Sequence, residues 1–256
     1  MKFSEWRATM SNRDNSAFLA DLKEWNLELN ETQLQQLEKY YEMLVEKNKV
    51  MNLTAITEYE DVLKKHFLDS LALSQLIKLE GKKIKLLDMG TGAGFPGIPL
   101  KIVFPELEVT LMDSLNKRIV FLQEVINELG LTDITAIHGR AEEAALKPEY
   151  REKFDFCVSR AVARLVSLSE FCIPFVKQGG YFIPYKSGEI KEELQEAKFA
   201  IRELGAEYRK TYEYQLPNSD IERTLIQIEK LKQTPKKYPR GGGKPLKQPL
   251  LNISRK

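Results

Sequence analysis

Four glycines in eight positions, Gly90, Gly92, Gly94 and Gly97, follow an aspartate that ends a short apolar run. Glycines so closely spaced let a backbone turn sharply and approach a ligand with no Cβ in the way. Two registers fit. Gly92-Ala-Gly94-Phe-Pro-Gly97 satisfies G-x-G-x-x-G, the dinucleotide fingerprint, in which a pyrophosphate rests on the amino end of a helix. The other is Asp88-Met-Gly90-Thr-Gly92-Ala-Gly94, with a carboxylate two residues before the first glycine. A carboxylate repels a dianionic pyrophosphate and attracts the ammonium and sulfonium of S-adenosyl-L-methionine. A second acid, Asp113, closes the next apolar run a little over twenty residues beyond the loop. In a βαβ unit an acid there reaches the ribose hydroxyls of a bound nucleoside. Two acids at two strand ends around a glycine loop favour S-adenosyl-L-methionine over a nicotinamide dinucleotide.

Those residues need a sheet to hold them. Short apolar runs bounded by turn residues predict strands over 84–87, 109–112, 134–137, 154–158 and 180–183. Between them, apolar residues at helical spacing predict helices over 98–104, 117–129, 165–171 and 190–204, with Gly130 as a C-cap. Two strands, 208–214 and 225–228, then follow without a helix between them. The fold class is α/β: a Rossmann-like, mainly parallel seven-stranded sheet with helices on both faces. Ligands of such sheets sit at the carboxyl ends of the strands, where the strand order reverses. Those ends present Asp88 and the glycines, then Asp113, Ser114 and Leu115, then His138-Gly-Arg140-Ala141-Glu142, then Ser159-Arg160-Ala161.

Residues 14–80 read as helices. Thr32 can cap a segment carrying Leu34, Leu37, Tyr41, Leu44 and Val45 on one side. A second helix, about 58–79, shows Val62, Phe67, Leu71 and Ser74 on one side. The stretch from Lys49 to Ile56 between them is too polar and too rich in turn formers to be helical. His66 reads as a packing residue and His138 as a partly buried strand-end residue, and no general base stands out. The expected division is an N-terminal helical region at 1–80, a core at 81–231 and a basic tail at 232–256.

With 43% apolar and 30% charged residues the chain can bury a sizeable core. Cys157 and Cys172 are too few for a disulfide framework or a zinc knuckle, and no metal site is expected. No apolar run reaches membrane-span length, and the charged start Met1-Lys-Phe-Ser-Glu-Trp-Arg7 is unlike a signal peptide. A cytoplasmic monomer is the expectation. Net charge is +2, yet from Lys230 onward there are nine Lys or Arg and no acid. Lys236, Lys237, Tyr238, Arg240, Lys244 and Lys247 lie on a Pro- and Gly-rich tail that should neither form a helix nor add much core. The expectation is an arm that tracks RNA phosphates, with Tyr238 for stacking.

In their order along the chain, these motifs resemble the glucose-inhibited division protein B family, RsmG-type rRNA methyltransferases. The matching stretches are Asn52-Leu-Thr-Ala-Ile56, His66-Phe-Leu-Asp-Ser-Leu71, Leu87-Asp-Met-Gly-Thr-Gly-Ala-Gly-Phe-Pro-Gly-Ile-Pro99, Asp113-Ser-Leu-Asn-Lys-Arg118, Gly139-Arg-Ala-Glu142, Ser159-Arg-Ala161 and Pro239-Arg240. The resemblance implies methyl transfer from S-adenosyl-L-methionine to N7 of a guanine in the decoding-region loop of 16S rRNA, free or in the small ribosomal subunit. It also implies cofactor contacts at Gly90, Phe95, Asp113 to Leu115, Ala141, Glu142 and Arg160. The tail departs from the family wording, with Gly241-Gly-Gly243 where a more basic run is common. Two other readings stay open: a catalytically inert RNA-binding module on this fold, and a nicotinamide-dependent oxidoreductase using the other glycine register.

Overall fold

The structure, a computed structural model, describes residues 13–160, 163–188 and 190–252. Ala161 and the first residues of the chain therefore lie outside the described residues.

The sheet has seven strands in the order β3-β2-β1-β4-β5-β7-β6. These are β1 (Lys85–Met89), β2 (Glu108–Asp113), β3 (Ile134–His138), β4 (Phe154–Arg160), β5 (Val176–Lys186), β6 (Ala206–Gln215) and β7 (Glu222–Lys230). Strands β1 to β5 pair in parallel, and β7 runs antiparallel between β5 and β6. β1 is buried along Leu86, Leu87, Asp88 and Met89 because helices cover both faces, so it reads as an unbroken run without alternation. The order reverses between β1 and β4, which opens a crevice at their carboxyl ends.

Two apolar layers lie on the two faces. One face carries α6 (Gly97–Val103), α7 (Asn116–Glu128) and the N-terminal helices α1 (Ser16–Glu24) and α2 (Glu31–Met51). Leu37, Tyr40, Leu44, Phe67 and Leu71 join the same buried cluster as Ile98, Leu100, Phe121 and Leu122, so helix and sheet residues share one core. The other face carries α8 (Ala141–Ala144), α9 (Leu165–Cys172) and α10 (Lys191–Glu203).

Three N-terminal expectations change, the first being that α2 continues through Lys49, Val50 and Met51, which were expected to lie outside a helix. α2 is capped by Asn30, not Thr32: Asn30 accepts from the Gln33 N–H and Gln33 accepts from the Asn30 N–H, both at 2.9 Å. That reciprocal capping box satisfies two end groups at once, which Thr32 cannot do. The Gln33 amide also donates to the carbonyls of Ile102 and Val103, joining α2 to the end of α6. The second helix is not uniform. It runs as α3 (Tyr59–Val62), a π-helical turn (Leu63–Leu68), α4 (Asp69–Leu71) and α5 (Leu73–Leu76). A π turn inserts an extra residue per turn, so the face carrying His66 departs from the 3.6-residue pattern.

The tail also differs. It packs on α9 and α10 and forms a short helix α11 (Lys244–Lys247). Tyr238 is buried within the apolar cluster of that face.

Candidate active site

The loop after β1 is shaped from beneath. Gly90, Gly92 and Gly94 all take positive φ, at +69°, +63° and +109°. The N–H groups of Gly90 and Thr91 donate to the Met112 carbonyl at 2.8 and 3.1 Å. Gly92 N–H donates to Asp113 Oδ2 at 3.0 Å, and Arg118 Nη1 lies 3.1 Å from the same oxygen. Asp113 Oδ1 accepts from Leu115 N–H at 2.9 Å. Asp88 is fully buried, its Oδ2 accepting from the Thr91 hydroxyl at 2.7 Å and from Gly97 N–H at 2.8 Å. Its Oδ1 has no partner, and burial pushes the carboxyl up to about 6.

The glycines divide by what they face. A Cβ on Gly94 would stand 2.7 Å from Tyr40 Oη, and one on Gly97 would stand 2.3 Å from Leu111 and 2.9 Å from Asp88 Oδ2. Both are needed for packing. A Cβ on Gly92 would meet nothing within 4 Å, so that glycine borders open space. Tyr40 donates to the Ala93 carbonyl at 2.5 Å, so an N-terminal helix fixes the loop from outside the sheet.

Above the loop lies a cavity of about 760 Å³, within the range of roughly 300–1,000 Å³ usual for small-molecule sites. Gly90, Gly92, Phe95, Asp113, Ser114 and Arg160, all expected to contact a cofactor, line it together. Asp88, Gly94, Leu115, Ala141 and Glu142 do not. Asp88 and Gly94 are buried, and Leu115 gives its N–H to Asp113 while its side chain is exposed. Glu142 is buried against Arg140 at 3.1 Å. Asp88 therefore shapes the loop from the core and does not line the cavity, in contrast to its expected direct contact with a cationic ligand. At the amino end of α6 the Gly97 N–H is likewise taken, by Asp88 Oδ2.

The opposite wall comes largely from residues to which the sequence alone assigned no place in the site. Leu53, Thr54, Ile56, Lys65, His66 and Asp69 line it from the N-terminal region, and Tyr185, Lys186 and Arg223 from β5 and β7. His66 stacks on Phe95 with ring centroids 4.7 Å apart, and Arg160 lies over the same phenyl ring at 4.9 Å. His66 Nε2 is 2.8 Å from the Thr54 hydroxyl, so the Asn52–Ile56 segment orients the imidazole. Burial, aided by the Arg160 charge, lowers His66 to about 4 and keeps it neutral near pH 7. His138, expected to be partly buried, is exposed and pairs with the Ser114 carbonyl. Arg118 could have been found, standing in the first turn of the helix that follows Asp113. Nothing in local spacing announces Arg223.

The expected RNA arm is partly consumed. Arg240 grips buried Glu170 through Nε at 2.9 Å and Nη2 at 2.7 Å, and Tyr238 donates to Glu203 at 3.2 Å. Lys237 pairs with Glu203 at 2.9 Å. Tyr238 is therefore a core residue rather than a stacking platform, and Arg240 is a structural cation. Lys236, Lys244 and Lys247 remain exposed.

A seven-stranded sheet with an antiparallel β7, a glycine loop after β1 and an acid closing β2 define a Rossmann-like methyltransferase fold. Solved structures share it. The YcgJ protein of Bacillus subtilis superposes with a TM-score of 0.50 at 14% identity, covering 65% of this chain and 100% of that one. A putative methyltransferase from Bacillus halodurans C-125 gives 0.50 at 15%, covering 64% and 99%. The family described as rRNA small subunit methyltransferase G matches residues 33–224, and the chain belongs to it. Ribosomal RNA small subunit methyltransferase G of Lachnoclostridium phytofermentans is 61% identical over 93% of this chain and 98% of its own length. The protein of that name from Staphylococcus epidermidis ATCC 12228 is 54% identical over 90% and 95%. The chain is a methyltransferase of that family. Among the described residues no helix is long and apolar enough to cross a membrane, and no group of three or more His, Cys, Asp or Glu is placed to hold a metal.

Proposed function

We propose that this protein transfers a methyl group from S-adenosyl-L-methionine to N7 of a guanine in the decoding-region loop of 16S rRNA. The observation that carries this reading is the two-walled cavity. One wall is a glycine loop held by Asp113 and Asp88; the other is a half-apolar face from the N-terminal helices.

The residues present suit that donor. Gly92 leaves room for a close ligand, Asp113 lines the same wall, and Asp113 Oδ1 accepts only one hydrogen bond, leaving a lone pair for a hydroxyl. Gly90, Gly92, Asp113, Ser114 and Arg160 would hold it. When bound, S-adenosyl-L-methionine supplies a methyl group already activated on a sulfonium. Guanine N7 carries a lone pair and no proton, so the chain needs no base and contributes alignment and exclusion of water. A neutral His66 stacked on Phe95 fits that task, since it orients without exchanging protons. The partner in this reading is 16S rRNA, free or within the small subunit, met by one copy of the chain. The dinucleotide register is disfavoured because Gly97 N–H, the donor a pyrophosphate would use, is bonded to Asp88.

The test is methylation of deproteinised 16S rRNA, whole small subunits and free guanosine, with the product mapped by borohydride–aniline cleavage, which cuts at N7-methylguanine. Cleavage at one guanine supports the reading; methyl incorporation elsewhere, or none with any substrate, overturns it.

A further inference from the structure

Five cationic side chains line the cavity: Lys65, Arg118, Arg160, Lys186 and Arg223. Three have a carboxylate each. Lys65 pairs with Asp61 at 2.8 Å, Arg118 with Asp113 at 3.1 Å and Lys186 with Glu193 at 2.7 Å. Arg160 and Arg223 share one. Arg160 Nη1 is 3.0 Å from Asp69 Oδ2, and Arg223 Nε is 3.4 Å from Asp69 Oδ1. The Tyr214 hydroxyl donates to Asp69 Oδ1 at 3.1 Å and adds no charge, because burial holds the phenol protonated.

Asp69 is buried, with 3% of its surface exposed, at the end of the π-helical turn. It thus ties an N-terminal element to β4, β6 and β7 at one point. The other contacts of Arg160 are weaker: the His66 carbonyl and His66 Nδ1, both at 3.4 Å, and the face of Phe95. Two guanidiniums on one carboxylate leave about one positive charge facing a partly desolvated cavity. Such a charge is costly unless an anion meets it, and a guanidinium matches an oxyanion through paired N–H donors.

We infer that Asp69 aims Arg160 and Arg223 together as an oxyanion subsite on the far wall of the cavity, with Arg223 as its unassigned member and Asp69 as a positioning residue. The anion is a carboxylate or a phosphate. It is either the amino-acid carboxylate of the methyl donor or a backbone phosphate beside the target base. The first source rests on the donor reading above; the second needs only that the protein binds RNA.

Calorimetry on the full chain separates the two sources. S-adenosylhomocysteine carries the amino-acid carboxylate and methylthioadenosine does not. If the carboxylate is the ligand, Arg223→Gln weakens S-adenosylhomocysteine roughly tenfold to a hundredfold and leaves methylthioadenosine unchanged. If the phosphate is the ligand, both nucleosides bind as before. Affinity for deproteinised 16S rRNA then drops, and its salt dependence flattens by about 0.7–0.9 in log–log slope. In either case the Arg223→Gln loss should shrink in an Asp69→Asn background, because the guanidinium is then no longer aimed. A purely structural role would weaken both nucleosides alike, and that result overturns the inference. So does wild-type affinity of Arg223→Gln for all three ligands, or a loss undiminished by Asp69→Asn. If wild type binds neither nucleoside, the donor reading falls and the RNA arm alone decides the subsite.

Discussion

Residues 88–97 and residues 232–252 are alike in composition, both rich in glycine and proline, and differ in what holds them. The glycine loop is fixed largely from within itself and from the adjoining strand, with Tyr40 as a distant brace. Asp88 bonds Thr91 and Gly97, and Gly92 bonds Asp113 on the adjoining strand. The tail is fixed from a distance. Arg151 donates to the carbonyls of Thr234 and Tyr238, Glu170 takes Arg240, and Ser167 donates to the Pro245 carbonyl. A segment whose partners are near in sequence declares its conformation through spacing. A segment whose partners are 30 to 87 residues away shows only charge, and charge alone suggests a solvated arm.

The largest test of that contrast lies in the tail. Arg240→Ala leaves the Glu170 carboxylate buried without its cation, which costs about 3–5 kcal/mol. Urea denaturation should show that loss. A change below about 1 kcal/mol, the level of an exposed pair, would mean the tail is a loose arm after all.

The next test concerns the loop and its opposing wall. Asp88 is raised to about 6, so between pH 3.8 and 6 the folded protein binds the extra proton, and stability falls as pH rises. His66 is lowered to about 4, so between pH 4 and 6.5 the unfolded chain binds the extra proton, and stability rises with pH. Each effect amounts to about 3 kcal/mol and they oppose each other. Wild-type stability should therefore change little from these two groups across pH 4–6. Asp88→Asn should uncover a rise of about 3 kcal/mol over that window, and His66→Gln a fall of similar size. Denaturation midpoints of both variants at several pH values check it, and parallel profiles would reject the opposition.

A smaller effect distinguishes glycines within the loop. Gly92→Ala forces a Cβ into positive φ but meets no neighbour, so the strain is about 1–2 kcal/mol. The variant should fold and bind S-adenosylhomocysteine poorly. Gly94→Ala must displace Tyr40 or Ile98 and should lose more stability than Gly92→Ala. Equal stability of the two would show that the loop is not braced by Tyr40.

Much of the fold was legible. Every strand was anticipated, and apolar runs closed by Asp88 and Asp113 mark β1 and β2 as parallel strands of the sheet interior. Half of the cavity was legible too, through the glycines and the acids that shape their loop. The other half was not. The π turn around His66 breaks the helical period by which that face would be recognised. Asp69 and Arg223 meet across 154 residues, with nothing local to foretell it. Tyr238 and Arg240 were misread because Glu203 and Glu170 look like ordinary helix acids until the tail lies on them.

The smallest expected effect belongs to what remains of the basic arm. Lys236, Lys244 and Lys247 are exposed, and among the described residues none of them meets a carboxylate in the way Lys237 meets Glu203. Their glutamine variants should leave denaturation midpoints and S-adenosylhomocysteine affinity unchanged, since none of them lines the cavity. If they follow RNA phosphates, each replacement lowers the log–log salt slope of rRNA binding by about 0.7–0.9. Arg240→Lys is the matched control: it keeps the charge but loses the two-point grip on Glu170, so it should move stability and leave the slope alone. The tail then divides in two, with Tyr238 and Arg240 anchoring it and the exposed lysines meeting RNA. A triple glutamine variant with an unchanged slope would remove the tail from the RNA interface and leave the cavity mouth to carry that contact.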